Sequence, residues 1–205
     1  MRFNYFLSAF LATLTIASPI SAGVDVAEGA NLVTRGETVV ETPEYKAAII
    51  RLPEAVQNGF YYFIQKDMLG AKILDGDAET LSELEQQQKI LGFEHIGVVV
   101  GQIKFTKVEN KKTGDSTVTK DFVATYYHMT KNVRGEALVH APNWKAGLVD
   151  FTKSSLQFGG DTKARGLEKA RTAHKEYLLD PAHKMYNIQK NNCNTYAQTI
   201  LYAFR

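Results

Sequence analysis

One cysteine, Cys193, stands where polar capping residues meet an apolar helical pattern. Asn192 is a good N-cap residue, and apolar residues recur at helical spacing over 196–201. Within the stretch 186–201, an amphipathic helix that begins after this cap is therefore predicted, with Cys193 in its first turn. A helix N-terminus carries roughly half a positive charge, which stabilises a thiolate and lowers a cysteine pKa below its free value of about 8.5. Cys193 is therefore a candidate nucleophile.

A cysteine nucleophile needs an imidazole that takes and returns its proton, and a polar group that orients the imidazole. Two of the five histidines, His95 and His140, stand on short apolar stretches that predict strands, and a strand holds a side chain rigidly. His128 lies in a predicted hairpin and is a further candidate if that hairpin folds back over the site. His174 and His183 stand in polar context, so we expect both to be solvated.

The elements that must position these residues are predicted to be a sheet with helices. The β-branched run 93–101 is bounded by glycines and predicts a strand. Residues 102–129 predict a long hairpin with its turn at 110–116. Residues 135–142 predict a short strand that ends at proline, which cannot donate to a sheet ladder.

Weaker patterns complete the chain. Residues 148–158 predict one more strand, 31–40 an edge strand, and the apolar clusters of 48–74 either a helix or a buried strand. Helices are predicted over 77–90, 162–179 and 186–201. Together these predicted strands and helices indicate a fold of the α+β class, with an antiparallel sheet flanked by helices in a single domain over 23–205.

Three motifs occur in a characteristic order: His-Ile-Gly-Val-Val-Val-Gly at 95–101, Ala-Leu-Val-His-Ala-Pro at 137–142, and Asn-Cys-Asn-x-Tyr at 192–196. Together they resemble the circularly permuted papain-like hydrolases, the NlpC-like branch that includes lecithin:retinol acyltransferase-like proteins. In permuted members the histidine strand comes first and the cysteine helix comes last, as it does here.

This resemblance implies a permuted papain-like fold and a role for each matching residue. It implies that Cys193 is the nucleophile, that His95 is the general base and acid, and that His140 orients His95. His128 is the alternative for this third position. The segment 102–135 is longer than the connection in the acyltransferase-like members, and we interpret it as a hairpin insertion.

The first 22 residues have the layout of a secretory signal peptide. Arg2 precedes an apolar run over 6–16, and the small residues of 18–22 form a cleavage site near Ala22–Gly23. The apolar run is shorter than the ~20 residues that a membrane span needs, so we expect no stable span after cleavage. The expected location is bacterial, in the periplasm or outside the cell.

Composition constrains the partners only loosely. The chain has 205 residues and a net charge of +2, without a long Lys/Arg block, so no nucleic-acid partner is predicted. The spacing of cysteine and histidine matches neither Cys-x-x-Cys nor His-x-x-x-His, so no metal or other cofactor is expected. The sequence leaves the oligomeric state open.

The leading functional hypothesis is an exported cysteine hydrolase that cleaves an amide bond through a thioester. The resemblance and the leader together imply a cell-wall peptide substrate, as for a peptidoglycan amidase or endopeptidase. A second hypothesis is a lipid or acyl-ester hydrolase or acyltransferase that uses the same thiol. A third is a secreted binding protein that keeps the scaffold but not the activity.

Overall fold

The computed structural model describes residues 36–68, 70–71, 92 and 95–204. Six strands and three helices lie within these residues. In chain order they are β1 (Glu37–Glu41), α1 (Pro43–Ile49), β2 (Phe60–Asp67), β3 (His95–Glu109), β4 (Ser116–Lys131), β5 (Ala137–His140), β6 (Ser154–Thr162), α2 (Ala164–Leu179) and α3 (Cys193–Tyr202). Single turns of 3-10 helix occupy Ala146–Leu148 and Pro181–His183.

All six strands belong to one sheet with the order β1-β4-β3-β2-β6. The long strand β4 has two partners besides β3, because β1 pairs with its first residues and β5 with its last four. The β1–β4 pair is parallel, and every other pair is antiparallel. The sheet is therefore mixed, which corrects the prediction of a purely antiparallel one.

The two faces of the sheet are both buried, and they carry different side chains because successive residues of a strand point to opposite sides. The face that carries Phe63, Val99 and Tyr126, here the first face, is covered by α1 and by Trp144. The opposite face, here the second face, carries Val98 and is covered by α2 and α3.

The predicted sheet flanked by helices, with the cysteine helix last, is confirmed. The range 102–135, interpreted as an insertion, contains the continuation of β3 and the whole of β4, so it forms part of the sheet. The predicted strand at 148–158 was placed too early, since β6 starts at Ser154. The predicted helix 77–90 and the leader 1–22 lie outside the described residues.

Gly101 marks the closest approach of β3 to β4. It pairs with Ala124, and an added Cβ would lie 2.5 Å from Cβ of Ala124 and 2.6 Å from the carbonyl oxygen of Val123. We expect Gly101→Ala to lower the free energy of unfolding by about 1–3 kcal/mol, because the buried strands must move apart. Urea unfolding followed by circular dichroism measures this loss.

Gly147→Ala is the matched control. An added Cβ there meets no described atom within 4 Å, so the free energy of unfolding should change by less than about 0.5 kcal/mol. Equal losses in the two variants would contradict the close packing of β3 against β4.

Candidate functional site

Helix α3 starts at Cys193 because the side chain of Asn192 caps it. Oδ1 of Asn192 accepts hydrogen bonds from the backbone N–H groups of Asn194 at 2.9 Å and Thr195 at 3.0 Å. In return, the backbone N–H of Asn192 donates to Oγ1 of Thr195 at 2.8 Å. This capping box confirms that the cysteine lies in the first turn.

The chain that leads into α3 is tied to α2 through Asn191. The hydroxyl of Tyr177 donates to Oδ1 of Asn191 at 2.6 Å. Nδ2 of Asn191 donates to the carbonyl oxygens of His183 at 2.8 Å and Met185 at 2.6 Å. These bonds use both ends of a buried amide, so they hold the start of the cysteine helix in a defined position.

Cys193 itself is 1% exposed and packs on the second face with apolar side chains that include Ile96 and Val98. Burial raises the pKa of the Tyr126 phenol, and negative charge on Asp67 and on Cys193 raises it further. The thiol is therefore part of the electrostatic environment of Tyr126.

His95 and His128 form a buried imidazole pair on neighbouring strands. Nε2 of His95, the first residue of β3, lies 3.2 Å from Nδ1 of His128 on β4, and the rings meet edge to face. The two residues are 1% and 0% exposed. By strand alternation both side chains lie on the first face, with Val99 and Tyr126.

Burial keeps both imidazoles of this pair uncharged. Burial, with a smaller effect of His140, lowers the pKa of His95 from 6.5 to about 3. Burial also lowers the pKa of His128 well below 6.5, with added effects of His95 and His140. At neutral pH each ring therefore carries one N–H donor and one acceptor nitrogen, which is what a general base requires.

The contacts of His140 that the structure shows are with His128 and Thr130. Its ring stacks on His128 with centroids 4.8 Å apart, and its Nε2 lies 2.8 Å from Oγ1 of Thr130. The residue that contacts the His95 imidazole is His128, the alternative candidate for the third position. The β4–β5 register explains this, because it places His140 opposite His128, one strand farther from β3.

Tyr126 connects the imidazole pair to a buried hydrogen-bond chain that the sequence did not suggest. Its ring stacks on His128 at 4.5 Å, and its hydroxyl donates to Oδ2 of Asp67 at 3.3 Å. Nε2 of Gln65 donates to Oδ1 of Asp67 at 3.0 Å, and Nε1 of Trp144 donates to Oε1 of Gln65 at 3.0 Å. The chain therefore fixes the orientation of the Tyr126 ring.

Asp67 is the buried acid of this chain. Burial raises the pKa of its carboxyl group, while hydrogen bonds from Ser154, Gln65 and Tyr126 oppose that change. The signal in the sequence was the alternation of β2, in which the buried face continues from Tyr61 to polar residues at 65 and 67. Two polar side chains on the buried face of a strand are unusual, because each must find a hydrogen-bond partner.

The structure brings His95 and His128 together on the first face, and Tyr126 stacks on His128. Cys193 lies at the start of α3 and packs in the cluster of the second face. Negative charge on Cys193 contributes to the raised pKa of the Tyr126 phenol. The described contacts therefore join the imidazoles and the phenol directly, and relate the thiol to them through this electrostatic effect.

The other two histidines are not simply solvated, as had been expected. Nδ1 of His174 lies 2.7 Å from the hydroxyl of Tyr196, and burial, with a smaller effect of His140, lowers the pKa of His174. The His183 ring stacks on Tyr177 with centroids 3.7 Å apart. His174 therefore helps to dock α2 against the cysteine helix, and His183 packs the turn after α2 against α2.

No protein-family model matches the chain, and neither a curated protein nor a solved structure matches it. The papain-like resemblance stays a prediction that rests on the three sequence motifs. In the described part of the chain, no helix is both long and apolar enough to cross a membrane. Within the same residues, no three His, Cys, Asp or Glu side chains converge in a way that could hold a metal ion.

The buried imidazole of His95 makes stability depend on pH. Between pH 6.5 and about 3 the unfolded chain binds a proton at His95 that the folded chain does not, so the free energy of unfolding falls as the pH is lowered. We expect His95→Gln to reduce this slope by up to about 1.4 kcal/mol per pH unit, because glutamine does not titrate.

Urea unfolding at several pH values between 7 and 5 measures how the free energy of unfolding depends on pH. This pH range lies above the one in which most carboxyl groups of the unfolded chain titrate. His128→Gln should reduce the slope in the same direction, since its pKa is also lowered by burial. Slopes in both variants equal to that of the unmodified chain would show that the imidazoles are charged in the folded state.

Proposed function

We propose that this protein is a cysteine hydrolase that cleaves an amide bond through a thioester, with Cys193 as nucleophile and His95 as general base and acid. The observation that carries the proposal is the buried His95–His128 pair, which packs against Tyr126, a phenol whose pKa is raised in part by charge on Cys193. A helix-start cysteine alone is more often structural, and it is the imidazole pair that supplies the missing proton acceptor.

In this proposal one nitrogen of His95 accepts the thiol proton. Nε2 is engaged by His128, so Nδ1 is the atom left to accept the proton of Cys193. As the sulfur attacks the carbonyl carbon, the proton moves to Nδ1 and then to the leaving amine, which leaves a thioester on Cys193. A water molecule then attacks the thioester, and His95 takes its proton and returns one to the sulfur.

The imidazole of such a site rests uncharged. Burial holds the pKa of His95 at about 3, so an imidazolium that would stabilise a thiolate is disfavoured before substrate binds. The thiol proton is therefore transferred during the attack. The backbone N–H of Cys193, at the positive end of α3, is placed to stabilise the oxyanion that forms.

The proposed substrate is a peptide amide of the bacterial cell wall, and the proposed location is outside the cytoplasm. Both follow from the resemblance of the three motifs and from the leader-like first 22 residues. The purified protein should release soluble peptide fragments with new free amines from peptidoglycan, as mass spectrometry can detect. Cys193→Ser should abolish the release, and a variant with full activity would contradict a thioester route.

The histidine variants should separate the roles of the three rings. His95→Gln removes the general base, so we expect kcat/KM on peptidoglycan fragments to fall about 10²- to 10⁴-fold. His128→Gln should cost at least about tenfold, since it removes the contact that orients His95. His140→Gln should cost less than His128→Gln, because His140 stacks on His128, whereas His128 itself contacts His95.

These comparisons require folded variants, which thermal unfolding and circular dichroism establish. A larger loss in His140→Gln than in His128→Gln would contradict the assignment of the third position to His128. The KM values should change little in all three variants, because none of the rings is assigned to substrate binding.

A binding protein without activity is the second candidate, and the burial of Cys193 favours it. A thiol that is 1% exposed among apolar side chains is typical of a structural cysteine. The pH dependence of Cys193 alkylation by iodoacetamide distinguishes the two. The hydrolase requires a rate that falls at least about tenfold in His95→Gln, whereas a structural thiol reacts only above about pH 8 and is indifferent to His95.

A further inference from the structure

Strand β5 pairs with β4 on one side, and the backbone directions at its start show what its other side presents. Just past the end of β4, the N–H of Asn132 donates to the carbonyl oxygen of Glu136. The next residue, Ala137, points its N–H the other way, to the carbonyl oxygen of Lys184. Backbone groups alternate in direction along an antiparallel strand, so the N–H and C=O of Val139 also point away from β4.

This outer edge of β5 is unpaired at Val139 within the described part of the chain. The segment 184–186 runs along the start of the edge, where Tyr186 donates its N–H to the carbonyl oxygen of Gly135. In the same residues, its hydrogen bonds to the edge stop at Ala137. A strand edge that presents an N–H and a C=O outward is a template for another extended chain.

A cavity of about 320 Å³ lies beside this edge. Its volume is at the lower end of the roughly 300–1,000 Å³ that is usual for ligand pockets. One wall is formed by β5, and the other by the end of α2 and the turn after it; the lining includes Leu138, Val139, Tyr177, Leu178 and His183. Val139 and Tyr177 both pack in the cluster of the second face, which also contains Cys193.

The wall opposite β5 is tied to the chain that leads into the cysteine helix. Tyr177 donates from its hydroxyl to Oδ1 of Asn191 at 2.6 Å. Nδ2 of Asn191 donates to the carbonyl oxygen of His183 at 2.8 Å. Two residues that line the cavity therefore contact Asn191, which precedes Cys193 by two positions. A molecule bound in the cavity lies next to the segment that ends at the proposed nucleophile.

We propose that the outer edge of β5 and this cavity form a substrate-binding groove, in which an extended peptide adds to the sheet as a further strand. One peptide residue exchanges both backbone hydrogen bonds with Val139, as in an antiparallel pair. A peptide side chain on the second face then enters the cavity, where Leu178 and Tyr177 offer apolar contacts. The inference rests on the proposed function, because it names how the peptide of that hydrolase is held.

The backbone of Val139 favours a peptide over a lipid as the occupant. Its outward C=O needs a donor and its outward N–H needs an acceptor, and both are supplied by one residue of an extended peptide. An acyl chain supplies neither, so a lipid in this groove would leave both groups of the edge without partners. The groove therefore agrees with amide hydrolysis better than with acyl-ester hydrolysis.

Val139→Pro tests the backbone contact. Proline removes an N–H that the pairing with β4 does not use, and the edge of a sheet tolerates proline at such a position. Val139→Thr is the matched control, because threonine keeps the N–H and the branched shape. On peptidoglycan fragments we expect KM to rise about three- to tenfold in Val139→Pro, with kcat nearly unchanged, and neither to change in Val139→Thr. An unchanged KM in folded Val139→Pro would overturn the inference.

Leu178 and Leu179 offer a second matched pair for the cavity. Both are exposed, at 62% and 78%, but only Leu178 is among the residues that line the cavity. Glutamine has a similar length and a high helix propensity, so neither substitution should disturb α2. Leu178→Gln should raise KM at least about threefold, and Leu179→Gln should leave it unchanged. Equal KM values in the two variants would show that no side chain of the substrate occupies the cavity.

Amide hydrogen exchange tests binding without hydrolysis. The full chain with Cys193→Ala is mixed with disaccharide–peptide fragments that a glycosidase releases from peptidoglycan. These fragments, at millimolar concentration, should slow exchange of the Val139 amide at least about tenfold. The Ala137 amide is the internal control, because it already donates to Lys184 and should change little. An unprotected Val139 amide would overturn the inference, even if Val139→Pro does not fold.

These measurements separate the groove from the proposed function. Hydrolysis that requires Cys193 and His95, together with an unprotected Val139 amide, would keep the hydrolase and refute the groove. Protection of the Val139 amide in a protein that releases no peptide from peptidoglycan would refute the hydrolase and keep the groove, as the peptide site of a binding protein.

Discussion

The contact between Nε2 of His95 and Nδ1 of His128 is the interaction on which the candidate site depends. Both imidazoles are buried, and a buried polar ring must either find a partner or carry a desolvation cost. Each ring is the partner of the other, which allows two histidines to stay neutral inside the sheet. The long β3–β4 pairing sets the distance between them, because it places Gly97 opposite His128.

Packing around this contact explains why particular residues stand nearby. A Cβ at Gly97 would overlap the ring of Tyr126 and lie 2.8 Å from the carbonyl oxygen of Tyr127, so only glycine lets Tyr126 cross β3. Tyr126 reaches Asp67 across that gap and stacks on His128 at the same time. Gly97, Tyr126 and Asp67 thus act together to hold the imidazole pair in place.

Burial affects the chemistry of the site as much as its geometry. An exposed imidazole beside a thiol would share a proton with it near neutral pH, whereas His95, with its pKa lowered to about 3, remains neutral. The same burial leaves one nitrogen of His128 without a partner in the described residues.

Local patterns in the sequence predicted the local structure. The capping residue Asn192 and the helical spacing after it place Cys193 in the first turn of α3, and the β-branched run after His95 is a strand, because capping and periodicity act over a few residues. The tertiary structure alone decided which histidine meets His95. His128 is 33 residues away, and its contact follows from the register of β3 with β4. Register is set by packing across the whole sheet. The same packing forms the buried hydrogen-bond chain through Asp67 and places Cys193 and the two imidazoles on opposite faces of the sheet.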